Sequence, residues 1–388
     1  MLLMTAAASA TMALSMAAVQ PQRREGMGLW ALALVLHTAT YVLFSLRGSV
    51  SNWASVVLAN TLLAGTFALA LAAVHQFHGR ALPWWRMALP VLIMAALFMR
   101  FMDDYRACVI AAGVVLPLQS GMALWSLWRP KAPAQLRGAL LLTAGLGLQG
   151  LLLAARGVLA ATYSIATEGL LRTGGAQSIT FVAAFVVVIL ATLGFIFMSK
   201  DRADAHNRYV AAHDVLTGLA NRRTLMLAAE RDMARAVRMR EPYALMMVDI
   251  DHFKAINDGH GHQAGDQALC HVAELLRARL RAQDLVGRYG GEEFLALLPA
   301  TALPDAVALA EALRGAVEQS HCTHEGRSIA VTVSVGVCGG RPRRANEWET
   351  MLRCADQALY AAKAGGRNRV EIGNPLRAPG QPVATHTL

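Results

Sequence analysis

The sequence predicts a chain in two parts: an all-α membrane helix bundle of six or seven spans over residues 1–198, then an α/β domain whose central sheet is flanked by helices. Three observations predict it. Apolar runs of about twenty residues, long enough to cross a bilayer as helix, follow one another from Met1 to Ser199. The chain turns polar at Lys200, and beyond it strand and helix periodicities alternate around a hairpin. Across 388 residues, 55% hydrophobic, the mean hydropathy of +0.39 is too high for one soluble unit, so the composition has to be divided.

The apolar segments lie near residues 1–19, 27–46, 51–75, 84–102, 107–128, 137–160 and 177–198. Six spans remain if residues 1–19 lie at the interface. That segment has no positive residues before it, and Arg23 and Arg24 follow it, which argues against a cleaved signal peptide. Loops with Arg23 and Arg24, with His78, Arg80 and Arg86, and with Arg129, Lys131 and Arg137 alternate with loops poorer in base, one carrying Asp103 and Asp104, another Glu168 and Arg172. The basic loops should face the cytoplasm, and the last span then exits there at Ser199 and Lys200. Arg100, Asp103, Asp104, Arg106 and Arg156 read as boundary charges at span ends.

The net charge of +10 is not a nucleic-acid footprint. Of 36 bases and 26 acids, 24 and 22 fall in residues 200–388, which leaves 12 bases against 4 acids before Lys200, where topology explains them. Six of the seven tryptophans (Trp30, Trp53, Trp84, Trp85, Trp125, Trp128) also lie there, most near span ends, as an interfacial belt requires. The five cysteines show no C-x-x-C spacing, so reduced thiols are expected.

Residues 199–213 have helical composition and continue the last span as a connector. Elements then follow as helix (222–239, capped by Asn221), strand (243–251), helix (263–282), hairpin (285–298), helix (304–319), strand (328–337), helix (347–364) and a short strand near Val370. The Pro-containing tail, 374–388, is expected to be disordered.

Two places carry chemistry. Gly290 and Gly291, between Leu285–Tyr289 and Phe294–Leu298, read as a tight turn requiring the positive φ that glycine adopts freely, and they leave room for a ligand beside Glu292 and Glu293. The run Tyr243–Asp251 is a buried strand ending in acid, with Asp249 and Asp251 on one face. Carboxylates there must be paired, hydrated or bound to a divalent cation. Asp251 is either a support for Asp249 or a purely structural group.

In order, the motifs are Asp214-Val-Leu-Thr-Gly-Leu-Ala-Asn-Arg-Arg223, Asp249-Ile-Asp-His-Phe-Lys-Ala-Ile-Asn-Asp258, Gly261-His-Gln-Ala-Gly-Asp266, Arg288-Tyr-Gly-Gly-Glu-Glu-Phe294 and Ala355-Asp-Gln-Ala-Leu-Tyr-Ala-Ala-Lys-Ala-Gly-Gly-Arg-Asn368. Together they resemble the GGDEF family of diguanylate cyclases, in its GGEEF spelling, over roughly Asp214 to Val370. The resemblance implies a GGDEF domain over 214–373 with a nucleotide-cyclase-like sheet, and condensation of two GTP into cyclic di-GMP with loss of two pyrophosphates. It implies a Mg²⁺ or Mn²⁺ site from Asp249, the Ile250 carbonyl, Glu292 and Glu293, with Glu292 also the candidate general base and Lys254 stabilising phosphate charge. Asn257 and Asp266 would read guanine, Lys363 and Arg367 would grip the terminal phosphates, and Gly290 and Gly291 would admit the substrate. Arg281 and Asp284 match an R-x-x-D site for inhibition by product, whose chemistry suits a phosphate and a guanine edge. The family works as a homodimer, one GTP on each protomer, here with the catalytic half on the cytoplasmic side of a bacterial inner membrane. A module that only senses nucleotide, or a transporter with a regulatory soluble half, are the competing readings; the intact motif positions speak against the first and the scarcity of interrupted helices against the second.

Overall fold

The computed structural model describes residues 1–18, 26–81, 84–129, 136–162 and 175–373. Arg23, Arg24, Lys131, Glu168, Arg172 and the tail from Asn374 lie outside the described residues. The chain forms two compact units, Met1–Ala205 and His206–Leu388.

The first unit is helical: α1 (Leu2–Ala18), α2 (Met27–Ser45), a π-helical stretch (Trp53–Leu58) running into α3 (Ala59–Phe77), α4 (Trp84–Arg100), α5 (Tyr105–Leu127), α6 (Leu136–Thr162) and the part of α7 (Gly175–Ala212) up to Ala205. Each expected apolar segment is a helix. Among the described residues five are long and apolar enough to cross a membrane; α1 and α4, at 17 residues each, are shorter. Small residues let the backbones touch, as in membrane bundles. A Cβ on Gly113 of α5 would stand 2.5 Å from the Gly157 Cα of α6, and one on Gly138 of α6 would stand 2.6 Å from the Gly194 carbonyl oxygen of α7.

In the second unit, β1 (Ala220–Asn221), α8 (Arg222–Met239), β2 (Tyr243–Ile250), α9 (Phe253–His260), α10 (His262–Arg279), β3 (Leu285–Arg288), β4 (Glu293–Pro299), α11 (Leu303–Gln319), β5 (Cys322–His324), β6 (Arg327–Ile329), β7 (Val333–Gly340), α12 (Trp348–Ala364) and β8 (Val370–Ile372) follow in order. Six strands make one sheet, β1-β3-β4-β2-β7-β8. It is mixed: β1 with β3 and β7 with β8 run parallel, the other pairs antiparallel. Asn221 caps α8 by accepting the Thr224 N–H at 3.0 Å.

All eight residues of β2 are buried, and its two-residue period sorts them. Ala244, Met246, Val248 and Ile250 join the core that contains Leu269 and Val272 of α10 and Leu313 of α11. Tyr243, Leu245 and Met247 join the one that contains Leu225 and Met233 of α8 and Leu359 of α12. Asp249 continues the second set, so it emerges on the α12 side at the carboxyl end of the central strand.

Three expectations are corrected. The strand expected over 328–337 is two strands, because β6 turns back on β5 through Glu325 and Gly326, both at positive φ (49° and 76°), while β7 starts at Val333 and runs to Gly340. The helix expected over 263–282 ends at Arg279, where Leu280 turns to extended backbone. Residues 253–260 form an unforeseen helix, α9, too short to show a period in sequence; it closes at Gly261, whose φ of 85° stops it.

Candidate active site

Asp249 is the centre of the site. It is 2% exposed, faces Glu293 across the β2–β4 ladder and Ser334 across the β2–β7 ladder, and holds the Lys363 ammonium at 2.8 Å. Burial pushes its pKa up from 3.8 to about 6; Lys363 pulls the other way, while Glu292 and Glu293 push it further up. Desolvation therefore outweighs the ion pair, and a concentration of negative charge remains that one lysine does not neutralise. Glu292 and Glu293 are half-buried, and the Ile250 N–H donates to the Glu292 carbonyl at 3.3 Å. Hard oxygen donors around a buried carboxylate suit a divalent cation. Among the described residues no three His, Cys, Asp or Glu side chains already form a ligand cluster; the Lys363 ammonium holds Asp249 instead.

The hairpin differs in detail from the sequence expectation. Tyr289 and Gly290 both donate their N–H to the Glu293 carbonyl, at 2.8 and 3.2 Å, yet neither Gly290 nor Gly291 has positive φ. Gly290 leaves room for the Glu293 side chain, because a Cβ there would meet Glu293 Oε2, the free end of a side chain that would have to move aside. Gly291 faces open space. Arg288 fixes the turn: its Nε and Nη2 donate to the Gly291 carbonyl at 3.1 and 2.6 Å, and its Nη1 pairs with Asp214 at 3.3 Å. The Asp214 pKa is lowered on balance: burial opposes this, but hydrogen bonds from Thr217 and the Arg288 guanidinium prevail.

Asp251 has a structural task. Buried, it accepts from Thr332 Oγ1 at 2.8 Å, Ser334 Oγ at 2.6 Å and the Asn368 N–H at 3.0 Å. Asn368 is further held by Arg314 at 2.9 Å and Glu318 at 2.7 Å. This clamp fixes a turn in which Gly366, Arg367 and Asn368 all have positive φ (112°, 64° and 46°), and thereby sets where Arg367 leaves the chain. Thr332, Ser334 and Arg314 escaped sequence reasoning; two hydroxyl residues alternating at the start of an apolar strand were the available signal.

Asn257 of α9 and Asp266 of α10 are brought together by the bend at Gly261. A Cβ on Gly265 would overlap Asn257 Oδ1, so the carboxamide lies directly against the start of α10 beside Asp266. Lys254, in the first turn of α9, is exposed, as is Asp266. Arg281 and Asp284 form a closed turn on a different part of the surface: the Arg281 N–H donates to Asp284 Oδ2, and the Asp284 N–H to the Arg281 carbonyl, both at 3.0 Å. Asp284 Oδ1 is buried with no partner among the described residues. Burial raises the Asp284 pKa. The Arg281 side chain is exposed.

Residues 211–369 match the family described as diguanylate cyclase, GGDEF domain. This part of the chain is a GGDEF domain. Over 165 residues it is 44% identical to the diguanylate cyclase DgcP of Pseudomonas aeruginosa, covering 42% of this chain and 24% of that protein. The bifunctional diguanylate cyclase/cyclic di-GMP phosphodiesterase MucR of the same organism is 30% identical over 379 residues, covering 88% of this chain and 54% of MucR. The chain thus spans about a quarter and about half of these two relatives. Among solved structures, the GGDEF domain of DgcB from Caulobacter crescentus, in complex with c-di-GMP, is 36% identical, covers 42% of this chain and 95% of that one, and gives a TM-score of 0.40.

Proposed function

We propose that the chain is a membrane-bound diguanylate cyclase that condenses two GTP into cyclic di-GMP and two pyrophosphates. The observation that carries this reading is the buried Asp249 carboxylate at the end of β2, raised to about 6 and backed by Glu292 and Glu293 on the adjoining hairpin. Such a site favours a divalent cation, Mg²⁺ or Mn²⁺, held by Asp249, the Ile250 carbonyl and Glu292, with Glu293 close by. When bound, the cation supplies charge neutralisation for the α-phosphate and leaving pyrophosphate.

The chain's own groups do the rest. Glu292 accepts the proton of the attacking ribose 3′-hydroxyl. Lys254, exposed at the start of α9, meets phosphate charge. Lys363, which here pairs with Asp249, would join Arg367 on the terminal phosphates. Asn257 and Asp266 offer a carboxamide and a carboxylate to the guanine edge, whose N1 proton and exocyclic amine adenine lacks in that arrangement. Each protomer holds one GTP, so catalysis needs a homodimer. The unpartnered Asp284 Oδ1 and the exposed Arg281 guanidinium supply an acceptor and a bidentate donor for cyclic di-GMP as an inhibitor. In this reading the helical part spans the bacterial inner membrane with the GGDEF domain in the cytoplasm, and through the 199–213 connector it sets how often two catalytic halves meet; the five helices long and apolar enough to cross a membrane support the first part.

The test is direct. Full-length protein in nanodiscs, given GTP and Mg²⁺, should form cyclic di-GMP, and Glu292→Ala should reduce the rate by at least about a hundredfold, the scale of a lost proton acceptor. Absence of product from the wild type, or full activity in the variant, would overturn the assignment; full turnover by a monomer would remove the dimer.

A further inference from the structure

The helical unit contains a cavity of about 140 Å³ at one end of the bundle. Its walls draw on each of the described helices α1 to α7, including the amino end of α5 and the carboxyl half of α6. It lies near the start of α7 at Phe181, hence at the end of the unit away from the carboxyl end of that helix. Most of the lining is apolar, with Phe98 and Phe181 among the aromatic walls, but two arginines, Arg47 and Arg156, share it.

Among the described residues no carboxylate lines this cavity, and neither arginine forms an ion pair. Asp104, the acid next to Tyr105 in the chain, turns its carboxylate onto the Ala107 N–H at 3.0 Å and caps α5. Arg156 donates through Nη2 to the Tyr105 hydroxyl at 2.8 Å, while its Nε is shut off from solvent with no hydrogen-bond acceptor among the described residues. The Arg47 guanidinium stands 5.9 Å from the centre of the same Tyr105 ring. Arg156 also sits six residues before the end of α6, about 9 Å inside the helix at its usual rise. It is therefore no ordinary boundary charge, unlike Arg106, which donates to the Ala160 and Ala161 carbonyls at the end of α6. Arginine inside an apolar bundle, with no counter-charge and with an unused N–H among the described residues, calls for an anion.

We propose that this cavity binds a small amphipathic carboxylate, its anionic head on Arg47 and Arg156 and a ring-sized apolar body against Phe98 and Phe181. Size supports the class: an apolar cavity of about 150 Å³ takes up benzene in another protein. The arginine fork matches a carboxylate better than it matches a neutral polar group. A ligand touching each of α1 to α7 would alter their packing together, which gives the membrane part a signal to report.

The experiment measures binding and is independent of catalysis. Full-length protein in nanodiscs is titrated with radiolabelled benzoate by equilibrium dialysis, with empty nanodiscs as the blank and benzyl alcohol as the neutral probe. Saturable benzoate binding is expected, weakened at least tenfold by Arg47→Gln and by Arg156→Gln, with no saturable binding of benzyl alcohol. Arg47 is exposed, so its variant tests the head-group contact without risk to folding. Ala112→Phe, which fills the apolar part and leaves both arginines in place, should abolish binding. Absence of saturable benzoate binding, equal binding of benzyl alcohol, or unchanged affinity in Arg47→Gln and Ala112→Phe would overturn the proposal, whatever the protein does with GTP.

Discussion

The raised pKa of Asp249 makes cation binding steeply pH-dependent, and the size of the effect follows from the site. A carboxylate titrating at about 6 is about nine-tenths ionised at pH 7 and about one-tenth ionised at pH 5. Apparent affinity for a divalent cation should therefore fall about tenfold between those two values, because the ligand must be deprotonated. An ordinary carboxylate at 3.8 would lose only about 5% of its charge over the same range. Loss of the free Mn²⁺ electron paramagnetic resonance signal measures binding directly in the full-length protein, with Asp249→Asn as the control for adventitious sites. Neighbours should move the midpoint in opposite directions: Glu292→Gln and Glu293→Gln downward, Lys363→Met upward, since the glutamates raise the Asp249 pKa and the lysine lowers it. Stability in the absence of metal runs the opposite way. The fold binds this proton more tightly than the unfolded chain does, so in the absence of metal the contribution is fully present below about 3.8 and is lost as pH rises through about 6. Flat Mn²⁺ affinity between pH 5 and 7, or a midpoint near 4, would show that the carboxylate is neither desolvated nor crowded by its neighbours.

Three further outcomes are expected. Gly265→Ala places a methyl group on Asn257 Oδ1 and should raise KM for GTP about tenfold, the equivalent of one lost hydrogen bond, with kcat little changed; an unaltered KM in steady-state assays would take Asn257 out of the substrate pocket. Asp251→Ala strips the acceptor from Thr332, Ser334 and Asn368 and should destabilise the domain by about 3 kcal/mol, read as a lower unfolding temperature, together with weaker GTP binding as the turn carrying Arg367 loosens. Arg281→Ala should raise the product level reached in a progress curve without changing the initial rate, and a curve with added cyclic di-GMP that matches the wild type would reject the R-x-x-D site.

Much of this protein was legible in its sequence, because the features concerned are local or periodic. Hydropathy runs located α1 to α7, a two-residue period placed Asp249 at the end of a buried strand, and an ordered set of short motifs marked roughly Asp214 to Val370 as resembling a GGDEF domain, where the family match covers residues 211–369. Those signals need only neighbouring residues. What the tertiary structure decided depends on segments far apart in the chain. Asp251 and Asn368 are 117 residues apart, and only their meeting shows Asp251 to be the clamp of a strained turn. The Glu293 side chain folds back over Gly290, a matter of packing that a φ-based reading of a glycine pair does not reach. Arg47 and Arg156 look like scattered charges until α2, α5 and α6 close around one cavity. Sequence periodicity fixes which face a side chain occupies; which distant charge shares that face, and with how little solvent, is set by three-dimensional packing.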